Sequence, residues 1–320
     1  MKKIVYSLIV LAVIAVLAGC TGQTPTSQSG YANPTALVEA GWLAENIASE
    51  NVKIIASHAT KDSYEFDGHI PGAVYLDYKT DIVDENNPTP NQMASREKVQ
   101  TLLQSLGIEN SDTVVVYDDT NNMIAARVYN VLKFYGHSDV RLLNGGKNAW
   151  TKAGGELTTE KTAVTGSDYT ARDKPAKSYV DLEYVYNNLN NPDVQIVDVR
   201  PTDQYTGENV RPGIGRDGGH IPGAINAPGG MTLNNDKTIK SYEELKAFYA
   251  ERGVSMDKKI IVYCHNGMLA SYSWYVLTEL VGHPDVAIYD GSSLEWTNNP
   301  KVPLVKGAEP GAPPADLPPL

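Results

Sequence analysis

Cysteine is almost missing from this chain: there are two in 320 residues, Cys20 near the start and Cys264 in the body. That distribution excludes an internal disulfide framework, so stability must come from core burial, which this length can supply in two domains. One thiol in the body and six scattered histidines offer no metal-ligand spacing, so no metal and no other cofactor is expected. Positive charge is scarce too. The 27 Lys and Arg face 38 Asp and Glu, a formal net charge of −11. Such a surface argues against nucleic acid as a partner and against electrostatic attachment to anionic lipid. The apolar run over residues 4–18, broken only by Tyr6 and Ser7, is too short for a comfortable membrane span.

That run does have a positive start, Lys2-Lys3, and a small-residue ending, Ala18-Gly19-Cys20. Together they resemble a prokaryotic lipoprotein signal, with cleavage before Cys20 and lipid on its sulfur. Residues 1–19 then form a signal peptide, and 20–32, rich in Ser, Thr, Gln and Gly, a flexible tether. Removal of Lys2 and Lys3 adds two further units of negative charge. Membrane association is expected through the acyl chains alone, with the body outside the cytoplasm, in a periplasm or at the cell surface.

Beyond the tether the chain repeats itself. Asp67-Gly68-His69-Ile70-Pro71-Gly72-Ala73 recurs as Gly218-Gly219-His220-Ile221-Pro222-Gly223-Ala224. Val114-Val115-Val116-Tyr117-Asp118 recurs as Ile260-Ile261-Val262-Tyr263-Cys264, and Gly136-His137 as Gly282-His283. Asn144-Gly145-Gly146 with Trp150 recurs as Asp290-Gly291-Ser292 with Trp296. Cys264, Gly282 and Trp296 follow Asp118, Gly136 and Trp150 by one interval of 146 residues. Four matches in the same order mean a duplicated domain.

In the first copy, helices are predicted over 36–47, from the Ser95 cap to 106 where Gly107 ends it, and over 124–135. Strands are predicted over 52–55, 73–75, 114–117 and 140–143. This alternation predicts an α/β fold, each copy a parallel β-sheet flanked by helices with right-handed crossovers. The domains are placed at 33–153 and 179–305, with a polar linker at 154–178 that lacks periodicity. The Pro- and Ala-rich tail, 306–320, is expected to be unstructured.

Cys264 ends a continuous apolar run that reads as a buried parallel strand, and a helical pattern begins at Ala270. The sulfur therefore faces the amino end of a helix, where unpaired amides and the helix dipole favour an anion, here a thiolate. Its position after the strand, not within it, favours a reactive cysteine over a buried inert one. Gly267 supplies the freedom a tight loop needs, and amides from His265 to Leu269 are expected to point inward as an anion nest. Ser271 and Ser273 read as caps or surface, and His69 and His220 as structural turn residues. Asp198 and Arg200 read equally well as a buried ion pair and as substrate contacts.

The Gly-His-Ile-Pro-Gly-Ala element, the strand ending Tyr263-Cys264 with its loop and helix, and the Asp-Gly…Trp ending resemble tandem rhodanese domains. The resemblance covers the chain from about residue 31 to 305. It implies a sulfurtransferase of the thiosulfate or 3-mercaptopyruvate type, with Cys264 as catalytic nucleophile. Cys264 would take a sulfane sulfur from a small donor anion, hold it as a persulfide and pass it to cyanide or a thiol. His265, Asn266, Gly267, Met268 and Leu269 would hold the persulfide, with Asp198 and Arg200 completing the site. The first domain, with Asp118 in the place of Cys264, would be silent and would cover the second across a cleft. The loop departs from the family in matching neither the basic thiosulfate-preferring form nor the small-residue mercaptopyruvate-preferring form. Gln204 stands where the family often has an anion-binding arginine, and Arg211 or Arg216 could substitute.

A phosphatase that also uses a cysteine on an anion loop needs an arginine six residues after it. Ala270 occupies that position, which excludes the reading. A redox sensor lacks a resolving cysteine. The surviving alternative is an extracytoplasmic sulfur-carrier or binding lipoprotein of rhodanese fold with little turnover.

Overall fold

The computed structural model describes residues 30–173, 178–215 and 218–320; the leader with Cys20, and Arg216, lie outside them. The first domain runs β1 (Leu37–Val38), α1 (Ala40–Asn46), β2 (Val52–Ala56), α2 (Lys61–Glu65), β3 (Ala73–Tyr75), α3 (Arg96–Ser105), β4 (Thr113–Tyr117), α4 (Met123–Phe134), β5 (Asp139–Leu143), α5 (Gly146–Lys152). The second repeats the plan with β6 (Tyr179–Val180), α6 (Leu182–Asn187), β7 (Val194–Asp198), α7 (Thr202–Thr206), β8 (Ile225–Asn226), α8 (Tyr242–Glu251), β9 (Lys259–Tyr263), α9 (Met268–Tyr275), β10 (Val286–Tyr289) and α10 (Ser292–Asn298).

Each domain is a five-stranded parallel sheet, ordered β1-β5-β4-β2-β3 and β6-β10-β9-β7-β8, with helices alongside. The α/β architecture and the duplication are thus as the pattern predicted. The central strands β4 and β9 are apolar on both faces because both faces are covered; four consecutive residues of each are buried. Helix α4 of the first domain packs along α9 of the second, and one apolar cluster spans both domains around this seam.

Two expectations, the first helix and the tail, are corrected. The helix predicted over 36–47 starts only at Ala40, because Leu37 and Val38 pair with Leu142 and Leu143 as an edge strand. Two residues are too few to show a strand period. Residues 154–173 of the linker pack on the first domain: Thr158 bridges to His69, Ser167 N donates to Gln104 O, and Tyr169 is fully buried. The tail lies along the second domain and is not loose. Pro310 O accepts from Gly223 N (2.8 Å), Pro314 O from Asn190 and Pro318 O from Tyr186 (2.7 Å), while Leu317 and Leu320 rest on the core. Proline removes donors but keeps its carbonyl acceptor, and the second domain supplies the donors.

Candidate active site

Strand β9 carries Cys264 at the carboxyl edge of the second sheet, the edge where open α/β folds hold ligands. Strand β7 lies beside it with Asp198 opposite Tyr263, so the two strands end together and bring Asp198 and Arg200 to the same edge. The Arg200 Nε donates to both Asp198 oxygens (2.9 and 3.0 Å), and Nη2 donates to Asp198 and to Gly219 O (2.7 Å). Asp198 is fully buried and Arg200 nearly so. Burial works against the guanidinium charge, but Asp198 outweighs it, with Tyr263 and Cys264 adding, and the arginine pKa is held above its ordinary value. The buried-pair reading is therefore right in geometry. Nη1 has no acceptor among the described residues, and the guanidinium lies over the Tyr263 ring, 5.6 Å from its centroid.

Cys264 is 2 % exposed. The loop after it is fastened from the β10–α10 corner: Ser292 Oγ accepts from Cys264 N (3.1 Å) and Gly267 N (3.2 Å) and donates to Tyr289 O (2.8 Å). Ser293 N and Leu294 N bind the carbonyls of Cys264 and His265. Gly267 is left-handed (φ +85°), and a Cβ there would stand 2.1 Å from Asp290 Oδ1. The expected inward nest is thus only partly realised, since the Gly267 amide is committed to Ser292. The amides of Asn266 and Met268 have no acceptor among the described residues.

The first domain indicates what those two amides suit. Asp118, the counterpart of Cys264, accepts at Oδ1 from Thr120 N (2.9 Å) and Asn122 N (3.0 Å), and at Oδ2 from Ala125 N (3.0 Å). Thr120 and Asn122 are the counterparts of Asn266 and Met268. Burial raises the Asp118 carboxyl above its ordinary range while these amides pull the other way. In one copy, therefore, the loop wraps an acidic side chain; in the other it lies against a sulfur.

His265 is neutral near pH 7. Burial first, then the Arg211 and Arg200 guanidiniums, pull it down to about 4. It is half-buried, with an unpartnered Nδ1 among the described residues. Asn266 and Met268 are half-buried, and Leu269 packs against the inter-domain core, close to Gly229. Gln204 is half-buried on α7 and Arg211 is exposed. Ser271 and Ser273 are fully buried, not surface groups. His69 and His220 stack on Tyr64 and Tyr205 (3.8 and 3.7 Å) and bond the carbonyls of those residues, as turn braces.

Sequence reasoning missed Arg127, Asp290 and Ser292. Arg127, on α4, pairs with Asp290 through both terminal nitrogens, so the first domain packs over the second here; beside the pair, Met93 of the first domain and Tyr179, Asp290 and Gly291 of the second line a cleft between the domains. Ser292 did leave a signal. It holds φ +54° where its counterpart Gly146 holds +55°, an unusual conformation for serine that the repeat alignment marks as a Gly-to-Ser change.

Among the described residues, one free cysteine at the carboxyl edge of one of two like sheets, with an acid in its place in the other, defines a tandem-domain protein with one thiol site. The chain belongs to the rhodanese family: the rhodanese-like domain matches residues 39–153 and 181–299. It is 40% identical over 290 residues to the sulfur carrier protein TtuD of Thermus thermophilus, covering 88% of this chain and 100% of that one. A Saccharopolyspora erythraea protein whose name proposes a thiosulfate sulfurtransferase is 38% identical, with 86% and 98% covered. SseA from Escherichia coli, described as a 3-mercaptopyruvate sulfotransferase, superposes with a TM-score of 0.72 at 29% identity, covering 80% of this chain and 98% of that one.

Proposed function

We propose that the protein is a sulfurtransferase in which Cys264 carries sulfur from thiosulfate or 3-mercaptopyruvate to cyanide or a thiol. The Cys264 thiolate attacks the outer sulfur of thiosulfate; the S–S bond breaks, sulfite leaves with the electron pair, and a Cys264 persulfide anion remains. With 3-mercaptopyruvate the C–S bond breaks, the thiol proton ends on carbon, and pyruvate leaves. Cyanide then takes the outer sulfur as thiocyanate and regenerates the thiolate. The observation that carries this reading is the pair of unspent amides, Asn266 and Met268, beside Cys264, whose counterparts hold the Asp118 carboxylate. The unspent Nη1 of Arg200 supports binding of the donor anion. The name of the Thermus relative and the 2 % exposure of Cys264 favour a second reading, a sulfur carrier with slow release.

The test is thiocyanate formation from each donor, with the intact mass read after donor exposure, in wild type and Cys264→Ser. A gain of one sulfur and turnover, both lost in the serine variant, are expected. Equal activity in the two proteins removes Cys264 as the nucleophile. A mass gain without turnover selects the carrier. We further propose, from the leader that ends Ala18-Gly19-Cys20, that the protein works outside the cytoplasm on a lipid anchor at Cys20.

A further inference from the structure

We propose that Arg127, on the domain that lacks the cysteine, is a positioning residue of the Cys264 site, fixing Asp290 and through it the Gly267 turn. The inference rests on the sulfurtransferase reading above and adds a residue to it.

The guanidinium is 1 % exposed and its contacts cross the domain boundary. Nη1 donates to Asp290 Oδ1 (2.6 Å) and Nη2 to Asp290 Oδ2 (3.0 Å), a two-pronged grip that a lysine cannot copy. Nη2 also reaches Asn91 O (2.8 Å), and Nη1 reaches Tyr179 OH (3.0 Å) and Ser271 Oγ (3.3 Å). A second first-domain group, Met93 N, donates to Asp290 Oδ2 (2.8 Å), so the silent domain holds this carboxylate from two directions.

Both lines lead to Gly267. Asp290 Oδ1 fills the space where a Gly267 side chain would begin. Ser271, which Arg127 touches, donates its hydroxyl to Gly267 O (2.9 Å). The turn that orients the Asn266 and Met268 amides is therefore backed by a side chain from the other domain. Arg127 is also within electrostatic reach of the sulfur. Burial opposes its charge, but Asp290 and Tyr179, with Cys264 adding, hold its pKa above the ordinary arginine value. A buried ion pair is weak evidence for stability by itself; a register-fixing role is its best-attested use.

The experiment compares wild type, Arg127→Lys and the double variant Arg127→Met with Asp290→Asn. The double variant leaves no lone buried charge, so it keeps the fold. Thermal unfolding is recorded for each protein, and kcat and KM are measured for thiocyanate formation. The rate of Cys264 alkylation by iodoacetamide at fixed pH is measured too, since it involves no sulfur donor. A displaced turn is expected to lower kcat about 10²-fold in the double variant, with KM for the donor moving far less. Alkylation slows in the same variant, and Arg127→Lys falls between. A folded double variant that alkylates and turns over at the wild-type rates overturns the inference. If wild type alkylates but transfers no sulfur from any donor, the sulfurtransferase reading fails alone, and the alkylation rates still decide the role of Arg127.

Discussion

Replacing Gly267 by alanine tests the loop at its tightest point. Two costs act there, and a second glycine separates them. Gly253 has φ +72°, is exposed, and has nothing within 4 Å of its would-be Cβ, so Gly253→Ala incurs only the left-handed backbone cost, about 1–2 kcal/mol. Gly267 has the same backbone hand, but its methyl would lie 2.1 Å from Asp290 Oδ1 and 3.2 Å from Asp290 O. Asp290 cannot swing aside because Arg127 and Met93 N hold both its oxygens. The turn itself must move, by about 1 Å to reach ordinary contact. Overpacking of this kind adds about 1–3 kcal/mol. A displacement of that size beside the reacting atom costs about 10²-fold in rate. Urea unfolding and thiocyanate formation, run on wild type and both variants, read the two costs separately. Gly253→Ala is expected to lose a little stability and no activity, and Gly267→Ala to lose both. Should Gly267→Ala match Gly253→Ala in both assays, the fastening of the loop by Asp290 is wrong.

Two further outcomes follow from the same structure. His58, His137, His265 and His283 are all held below the ordinary histidine range, each mainly by burial. The unfolded chain therefore takes up protons that the folded one refuses, and stability should fall as the pH drops from about 6.5 toward about 4. Urea midpoints across that window check this; a flat profile contradicts the assigned burial. Because His265 titrates only near about 4, sulfur transfer should show no rise between pH 7.5 and 6 of the kind a cationic His265 would produce. For the anchor, the native protein made in its host should partition into the detergent phase, and Cys20→Ser should move it to the aqueous phase. Aqueous partitioning of both forms removes the lipid anchor.

The parts of the fold legible in the sequence were those written in local periodicity and in repetition. The apolar runs of β4 and β9 declared buried parallel strands, and the shared interval between copies declared two domains. Cys264 was legible for the same reason, since a strand end and a helix start flank it. Contacts between distant residues were hidden. No local pattern singled out Arg127, and only the packing of α4 on α9 turns it toward Asp290, 163 residues away. Composition misled in the tail, where proline content said nothing about which carbonyls would find donors.

The two copies fasten the same turn by opposite means. In the first, the side chain at the strand end holds the loop amides: Asp118 reaches forward and takes those of Thr120, Asn122 and Ala125. A cysteine has one short, weakly accepting arm and cannot do this. In the second copy the fastening is moved outside, to the Ser292 hydroxyl on Cys264 N and Gly267 N and to Asp290 against the glycine. Gly146, the counterpart of Ser292, could not supply it, since a Cβ there would lie 2.3 Å from Asp118 O. Shifting the structural work to Ser292 and Asp290 leaves Cys264 without a structural duty and leaves the Asn266 and Met268 amides uncommitted. A turn held from behind can accept an added sulfur atom without losing its shape, which is what the proposed alternation of Cys264 between thiolate and persulfide requires.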